Sequence, residues 1–231
     1  MTPIVFLPGM MCDARLFAPQ IAALSARHMV SVAPIGGFAA MTELAQDVLQ
    51  NAPPRFALAG LSMGGILAME VARLAPERIT GLALMDTNPL AELDDVKAKR
   101  GPQMEMAQNG QMRAVMREQM IPNYLAEGSD AATLEPLCED MAEALGSDVF
   151  IKQSIALRDR PDQTETLKSY SAPSLVLCGE QDRLCPVARH ELMHDLLPNS
   201  TLTVLPDAGH LPTLEQPQAT TAALTTWLET L

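Results

Sequence analysis

The stretch Gly60-Leu61-Ser62-Met63-Gly64-Gly65 limits what this chain can fold into more than any other. It follows the apolar run Phe56-Ala57-Leu58-Ala59 and opens a helical pattern carried by Ile66, Leu67, Met69, Val71 and Leu74. A serine between two glycines at a strand-to-helix junction predicts a very tight turn. Side chains two positions either side of the serine would strike neighbouring backbone, and glycine removes the Cβ that would collide. The hydroxyl then stands open at the end of a strand with a helix N-terminus behind it, where backbone N–H groups favour negative charge. That geometry is a nucleophile elbow. The five-residue pattern recurs by chance, so its meaning depends on what else the fold brings to the same rim.

Short apolar runs alternate with helical patterns through the first third. Strands are expected at Ile4 to Leu7, Met29 to Ala33, Phe56 to Leu61 and Gly81 to Met85. Helices are expected at Asp13 to Leu24 and at Met41 to Gln50, the latter with Thr42 as its N-cap, and after the elbow to Leu74. From 89 to 166 no strand pattern occurs. Amphipathic helices fill that segment, with breaks expected near Gly101-Pro102, Asn109-Gly110, Pro122-Asn123, Gly128-Ser129 and Gly146. Strands resume at Ser174 to Leu177 and Leu202 to Leu205, separated by a helix from Pro186 to Leu197 and followed by one from Gln218 to Leu228. The expected fold is α/β: a mostly parallel sheet of about six strands with helices on both faces. Residues 1–88 and 167–231 would form the core domain, and 89–166 an all-helical insertion.

Strand ends of a parallel sheet converge on one rim. The loops there carry Pro8-Gly9-Met10-Met11, Ser62, Gly179-Glu180-Gln181-Asp182 and Ala208-Gly209-His210. Asp86, after the strand ending at Met85, reaches the same rim. A serine hydroxyl is a poor nucleophile until a base takes its proton. Imidazole, titrating near pH ~6.5 in water, suits that task, and a carboxylate can orient it. Ser62, His210 and either Asp182 or Asp86 supply the three groups in the order Ser, Asp, His of this acyl-transfer arrangement, and Asp182 is preferred because Asp86 reads more readily as a turn-forming residue bonded to local backbone.

These motifs, together with Ala75-Pro76-Glu77-Arg78-Ile79, resemble those of an α/β-hydrolase with a helical cap. The likeness spans nearly the whole chain outside the insertion. It departs from the family at Pro8-Gly9, where relatives usually carry His-Gly, and the family's two leading antiparallel strands have no counterpart before Ile4. The resemblance implies catalysis by Ser62, His210 and Asp182, and an oxyanion hole formed by the backbone N–H groups of Met10 and Met63. Only backbone is required at Met10, so Pro8-Gly9 is compatible with it. Each such donor is worth roughly 3–4 kcal/mol of barrier.

Several other features bear on function. His190-Glu191-Leu192-Met193-His194 fits a zinc-protease helix signature, with Glu215 as a conceivable third ligand. That segment lies between two sheet strands, and a solvated helix face is the expectation, with no metal. Met112, Met116 and Met120 recur every fourth residue and predict a buried helix face. A second role, shared by Met11 and Met116, would be contact with the substrate's acyl chain. Asp94, Asp95, Glu139 and Glu143 are expected on solvated surface. No lysine or arginine can be placed at the rim from sequence.

A net charge of −12 argues against nucleic acid as a partner. No run of the chain has the length and apolarity of a membrane span, and Met1 to Pro8 lacks the basic start of a signal peptide. Cys12, Cys138, Cys178 and Cys185 lack CxxC spacing, which points to reduced thiols and the cytoplasm. No Gly-x-Gly-x-x-Gly fingerprint occurs, so no cofactor is expected. The expected partner is a small-molecule acyl substrate, and the oligomeric state stays open. The expected activity is hydrolysis of an ester, thioester or related acyl bond. Carbon–carbon cleavage, lyase or perhydrolase chemistry and plain ligand binding are the alternatives on the same scaffold.

Overall fold

A computed structural model describes residues 2–231. In chain order its strands are β1 (Ile4–Leu7), β2 (Val30–Val32), β3 (Phe56–Leu61), β4 (Ile79–Met85), β5 (Ser174–Gly179) and β6 (Ser200–Leu205). They form one sheet in the order β2-β1-β3-β4-β5-β6, and every pairing is parallel. The apolar runs β1, β3 and β5 are buried along their whole length, as strands covered on both faces must be. The edge strands β2 and β6 are only partly covered.

The helices are α1 (Ala18–Leu24), α2 (Met41–Asn51), α3 (Met63–Leu74), α4 (Asp94–Met106), α5 (Met112–Val115), α6 (Ala131–Leu145), α7 (Ser147–Arg158), α8 (Thr164–Ser169), α9 (Val187–Leu196), α10 (Pro212–Glu215) and α11 (Pro217–Leu228). In α2, Met41, Leu44, Ala45 and Val48 are buried at helical spacing and pack on α3. Helix α3 in turn packs on β1, β3 and β4. Helix α1 packs on α11, which reaches β5 and β6.

The chain runs from β1 to β2 and then crosses back to place β3 on the other side of β1. Loops leaving β1 and β3 therefore diverge and open a crevice at the strands' carboxyl ends. Leu7 lies opposite Gly60 in the β1–β3 register, so the loop after β1 starts beside the turn at Ser62.

Several local expectations need correction. Helix α2 starts at Met41 with Ala40 as its cap, which places Thr42 inside the first turn. The Thr42 hydroxyl instead donates to Glu70 Oε1 at 2.6 Å. Glu70, buried on α3, also accepts two hydrogen bonds from Arg73 and one from Gln163. The Arg73 hydrogen bond foremost, with Thr42 and Gln163 adding, outweighs burial and holds its carboxyl down at about 2. Helix α4 runs straight through Gly101-Pro102. Proline removes one helical hydrogen bond there, and packing of α4 on α7 carries the helix past it. The chain does break at Asn109-Gly110, where Gly110 has φ +77°, and at Gly146, which separates α6 from α7.

Among the described residues no strand forms between β4 and β5. Helix α8 straddles residue 166 and packs on α3 and α9. Glu139 is not solvated: it is buried between Arg113 and Arg117, both of which donate to it.

Candidate active site

Ser62 sits at the N-cap of α3 with φ 55° and ψ −117°, a backbone state that a non-glycine residue adopts only when its surroundings enforce it. Its N–H donates to Met85 O, and its carbonyl accepts from Gly65 N, Ile66 N and the Thr87 hydroxyl. A Cβ on Gly60 would lie 2.2 Å from Gly64 O, and one on Gly64 would lie 2.0 Å from Leu7 O. Strand β3, helix α3 and the end of β1 thus meet backbone to backbone, and this contact fixes where the hydroxyl points.

His210 follows β6 on a loop turned at Asp207, which has φ +55°. His210 Nε2 lies 2.9 Å from Ser62 Oγ, and its Nδ1 lies 2.9 Å from Asp182 Oδ2. The other Asp182 oxygen accepts from Leu184 N and Cys185 N at 2.8 and 3.0 Å. Burial works against its ionisation, but attraction to His210 and these hydrogen bonds prevail and hold Asp182 below the usual carboxylate range. The loop itself is fastened by Glu215. One of its oxygens accepts from Gly209 N and Leu211 N, and the other from Ala126 N and the Ser129 hydroxyl.

Asp86 stands beside this line rather than in it. Its backbone has φ +44°, and its Oδ1 accepts from Gly179 N at 2.9 Å. Its Oδ2 is buried and meets no donor. Burial first, and the adjacent Asp182 charge second, push Asp86 well above the ordinary carboxylate range. Asp86 therefore resists ionisation beside Asp182, which keeps its charge through His210 and the two loop amides.

His190 is fully buried, against the expectation of a solvated helix face, because α9 packs on β5 and β6 and turns it inward to Thr87. Its Nε2 accepts from Thr87 N, and burial lowers its pKa to about 4, which leaves it neutral. His194 instead bonds the Ser200 hydroxyl. The two imidazoles and the clamped Glu215 thus have separate partners. Asp182, Cys185 and His210 do bring donor atoms within 4.8 Å of one another, although Asp182 and His210 already bond each other.

Ser62 and His210 open onto a cavity of about 570 Å³, also lined by Met10 and Met63. Among the described residues, neither the Met10 N–H nor the Met63 N–H has an acceptor. Met11, at φ +56°, turns away from the cavity, and its N–H donates to Gln153 Oε1 at 2.9 Å. Met11 and Met116 are both packed in the core and neither lines the cavity, which removes them as substrate contacts. The wall instead holds Ile66, Leu90, Val96 and Leu157, with a charged group on one side. Sequence alone gave no sign of Gln153 behind the β1 loop, or of the Arg100 and Arg160 guanidinium groups in the wall, because long-range packing brings them there.

A single parallel sheet with the hydroxyl, carboxylate and imidazole on the loops after β3, β5 and β6 defines an α/β-hydrolase. The chain belongs to the alpha/beta hydrolase family, whose model matches residues 4–224. It is 30% identical to a pimeloyl-[acyl-carrier protein] methyl ester esterase of Klebsiella pneumoniae, over 94% of this chain and 89% of that protein. It is 28% identical to the same-named protein of Pectobacterium carotovorum, over 95% and 91%. Among solved structures, a thermophilic esterase from Thermogutta terrifontis, described as malate bound, superposes with a TM-score of 0.91 at 28% identity, covering 99% of this chain and 90% of that one. The chain is a hydrolase acting on ester bonds.

Proposed function

We propose that this hydrolase cleaves small carboxylic esters through an acyl-enzyme on Ser62. The observation that carries the assignment is the unbroken line from Ser62 Oγ through His210 to Asp182, open to the cavity at the serine end. Ser62 Oγ attacks the carbonyl carbon while its proton passes to His210 Nε2. Asp182 holds the imidazole in the tautomer that accepts that proton and stabilises the imidazolium that results. Charge forming on the carbonyl oxygen meets the unpaired N–H groups of Met10 and Met63. Collapse expels the alcohol, which takes the proton back from His210. Water, deprotonated by the same imidazole, then releases the acid and regenerates Ser62.

Residues 89–166 serve as a cap that roofs the cavity, with Val96, Arg100 and Leu157 reaching its wall. A cavity of about 570 Å³ suits a small molecule. The relatives' names favour an ester of a short alcohol with an acyl chain. All four thiols are free and no described helix can cross a membrane, which fits work in a reducing compartment such as the cytoplasm.

The test is treatment with a fluorophosphonate followed by peptide mass spectrometry, together with hydrolysis of p-nitrophenyl acetate. A single adduct on Ser62 is expected, and Ser62→Ala should lose roughly 10⁶-fold in kcat. Undiminished turnover by Ser62→Ala would sink the assignment. Labelling of Ser62 without ester turnover would point to carbon–carbon cleavage or perhydrolysis by the same triad.

A further inference from the structure

The cavity is charged opposite to the molecule around it. The chain carries 28 acidic and 16 basic residues, yet five of the basic ones line this cavity against a single acid, Glu92. Lys99, Arg183 and Arg189 sit toward solvent, and Arg100 and Arg160 are in the wall. In an acidic protein, such a surplus in a concave, low-dielectric space concentrates positive potential where a ligand would sit.

The two buried guanidinium groups sharpen this. Their side chains are 10% and 7% exposed, and they share one carboxylate that is 3% exposed. Arg100 grips Glu92 through Nε and Nη2, and Arg160 Nη1 donates to Glu92 Oε1 at 2.5 Å. Arg160 Nε is satisfied by Leu90 O. Arg100 Nη1, however, meets only the thioether sulfur of Met10, at 3.8 Å. A thioether is a poor acceptor, so a buried cation is left with strong donors unpaired. Burial chiefly, and the neighbouring Arg100 in part, push Arg160 below the usual guanidinium range. Two desolvated cations sharing one anion are unfavourable unless a second anion arrives. The unpaired edge of Arg100 adjoins Met10, whose amide faces the reacting carbonyl in the proposed mechanism.

We propose that Arg100 is a specificity-determining residue, receiving a free carboxylate borne by the ester substrate. This inference rests on the esterase assignment and names the substrate class: esters that also carry an acid group. The guanidinium edge suits a carboxylate, offering parallel N–H donors where Lys would offer a point charge. Lys99, Arg183 and Arg189 at the mouth would steer such a substrate inward.

Two matched pairs test it. The p-nitrophenyl half-ester of glutaric acid places the acid on the acyl side, and O-acetylglycolate places it on the alcohol side; each is compared with its methyl-capped counterpart. The wild-type enzyme should prefer at least one acid over its capped form by tenfold or more in kcat/KM, the scale of a charge-assisted hydrogen bond. Arg100→Met should bring that ratio close to one. The substitution leaves Glu92 paired with Arg160, so the wall becomes a neutral pair and the variant is expected to fold. Free glutarate should also raise the melting temperature of the wild type, and its neutral diamide should not; this readout needs neither ester turnover nor a variant. Capped esters hydrolysed as fast as both acids, with no shift from glutarate, would overturn the carboxylate site and leave the esterase standing. A glutarate shift without turnover of any of the four esters would uphold the site and overturn the esterase.

Discussion

Replacing Gly64 with alanine tests whether the closeness of three backbones, rather than the identity of the triad, sets the reactivity of Ser62. A Cβ at this position would lie 2.0 Å from Leu7 O, 2.5 Å from Leu7 C and 2.6 Å from Pro8 O. All three are main-chain atoms at the end of β1, so no rotamer change relieves the clash. Reaching even 3.0 Å, a separation real Cβ contacts essentially never go below, requires α3 and the β1 loop to part by about 1 Å. That movement separates the Met63 amide and Ser62, on α3, from the Met10 amide, on the loop. A misplacement of this size is worth about 10²-fold in rate. Gly64→Ala should therefore lower kcat by about 10²-fold with much less change in KM, and slow fluorophosphonate labelling of Ser62. Gly37→Ala is the control: apart from its chain neighbours nothing lies within 4 Å of its Cβ and its φ is outside the left-handed region, so kcat should stay near wild type. A folded Gly64→Ala enzyme with kcat within about threefold of wild type would refute this account of the elbow.

Two further measurements separate groups that look alike in sequence. Asp182→Asn should cost roughly 10⁴-fold in kcat by favouring the wrong imidazole tautomer. Asp86→Asn should be tolerated within a few-fold, since an amide keeps the oxygen that accepts from Gly179 N and places no charge beside Asp182, whereas Asp86→Ala should impair activity by leaving that N–H unpaired. Steady-state kinetics of the three variants decides it, and equal losses in both asparagine variants would refute the assignment. At Glu70 the folded carboxyl is held at about 2 against an ordinary 4.5, so its contribution is complete above pH 4.5 and fades as pH falls through about 2. The shift corresponds to roughly 3 kcal/mol, which screening at half-exposed Arg73 trims to about 2. Urea unfolding of wild type and Glu70→Gln at pH 7 and pH 3 should show that gap narrowing by about half, and a gap independent of pH would refute the charge-based explanation.

What the sequence revealed divides along a physical line. Strands β1, β3, β4 and β5 were legible because a strand buried on both faces must be written as an apolar run. The elbow was legible because its glycines are demanded by backbone contact. Which aspartate faces the imidazole was not legible, since Asp86 and Asp182 both end strands and differ only in what their carboxyls meet in space. Thr42 misled for a related reason: a threonine near a helix start reads as a cap, and only the packing of α2 on α3 shows it reaching Glu70. His190 and Glu139 read as surface because polar residues usually are, but each is buried with partners remote in sequence. Arg100 and Arg160 are 60 residues apart and meet only through Glu92, so no local pattern marks them.

The fastening of the histidine loop has an implication for how such a protein can change. His210 N–H donates to Tyr124 O, Glu215 binds Ala126 and Ser129 as well as its own loop, and Gln153 holds the amide next to Met10. Tyr124, Ala126, Ser129 and Gln153 all lie in the helical stretch between β4 and β5. Exchanging the proposed cap for a relative's would bring a new set of walls, but it would also remove the struts that hold His210 and the loop after β1. Grafts that keep 124–129 and Gln153 and vary the remainder should shift substrate preference while sparing turnover. Wholesale exchange should depress turnover on every ester alike.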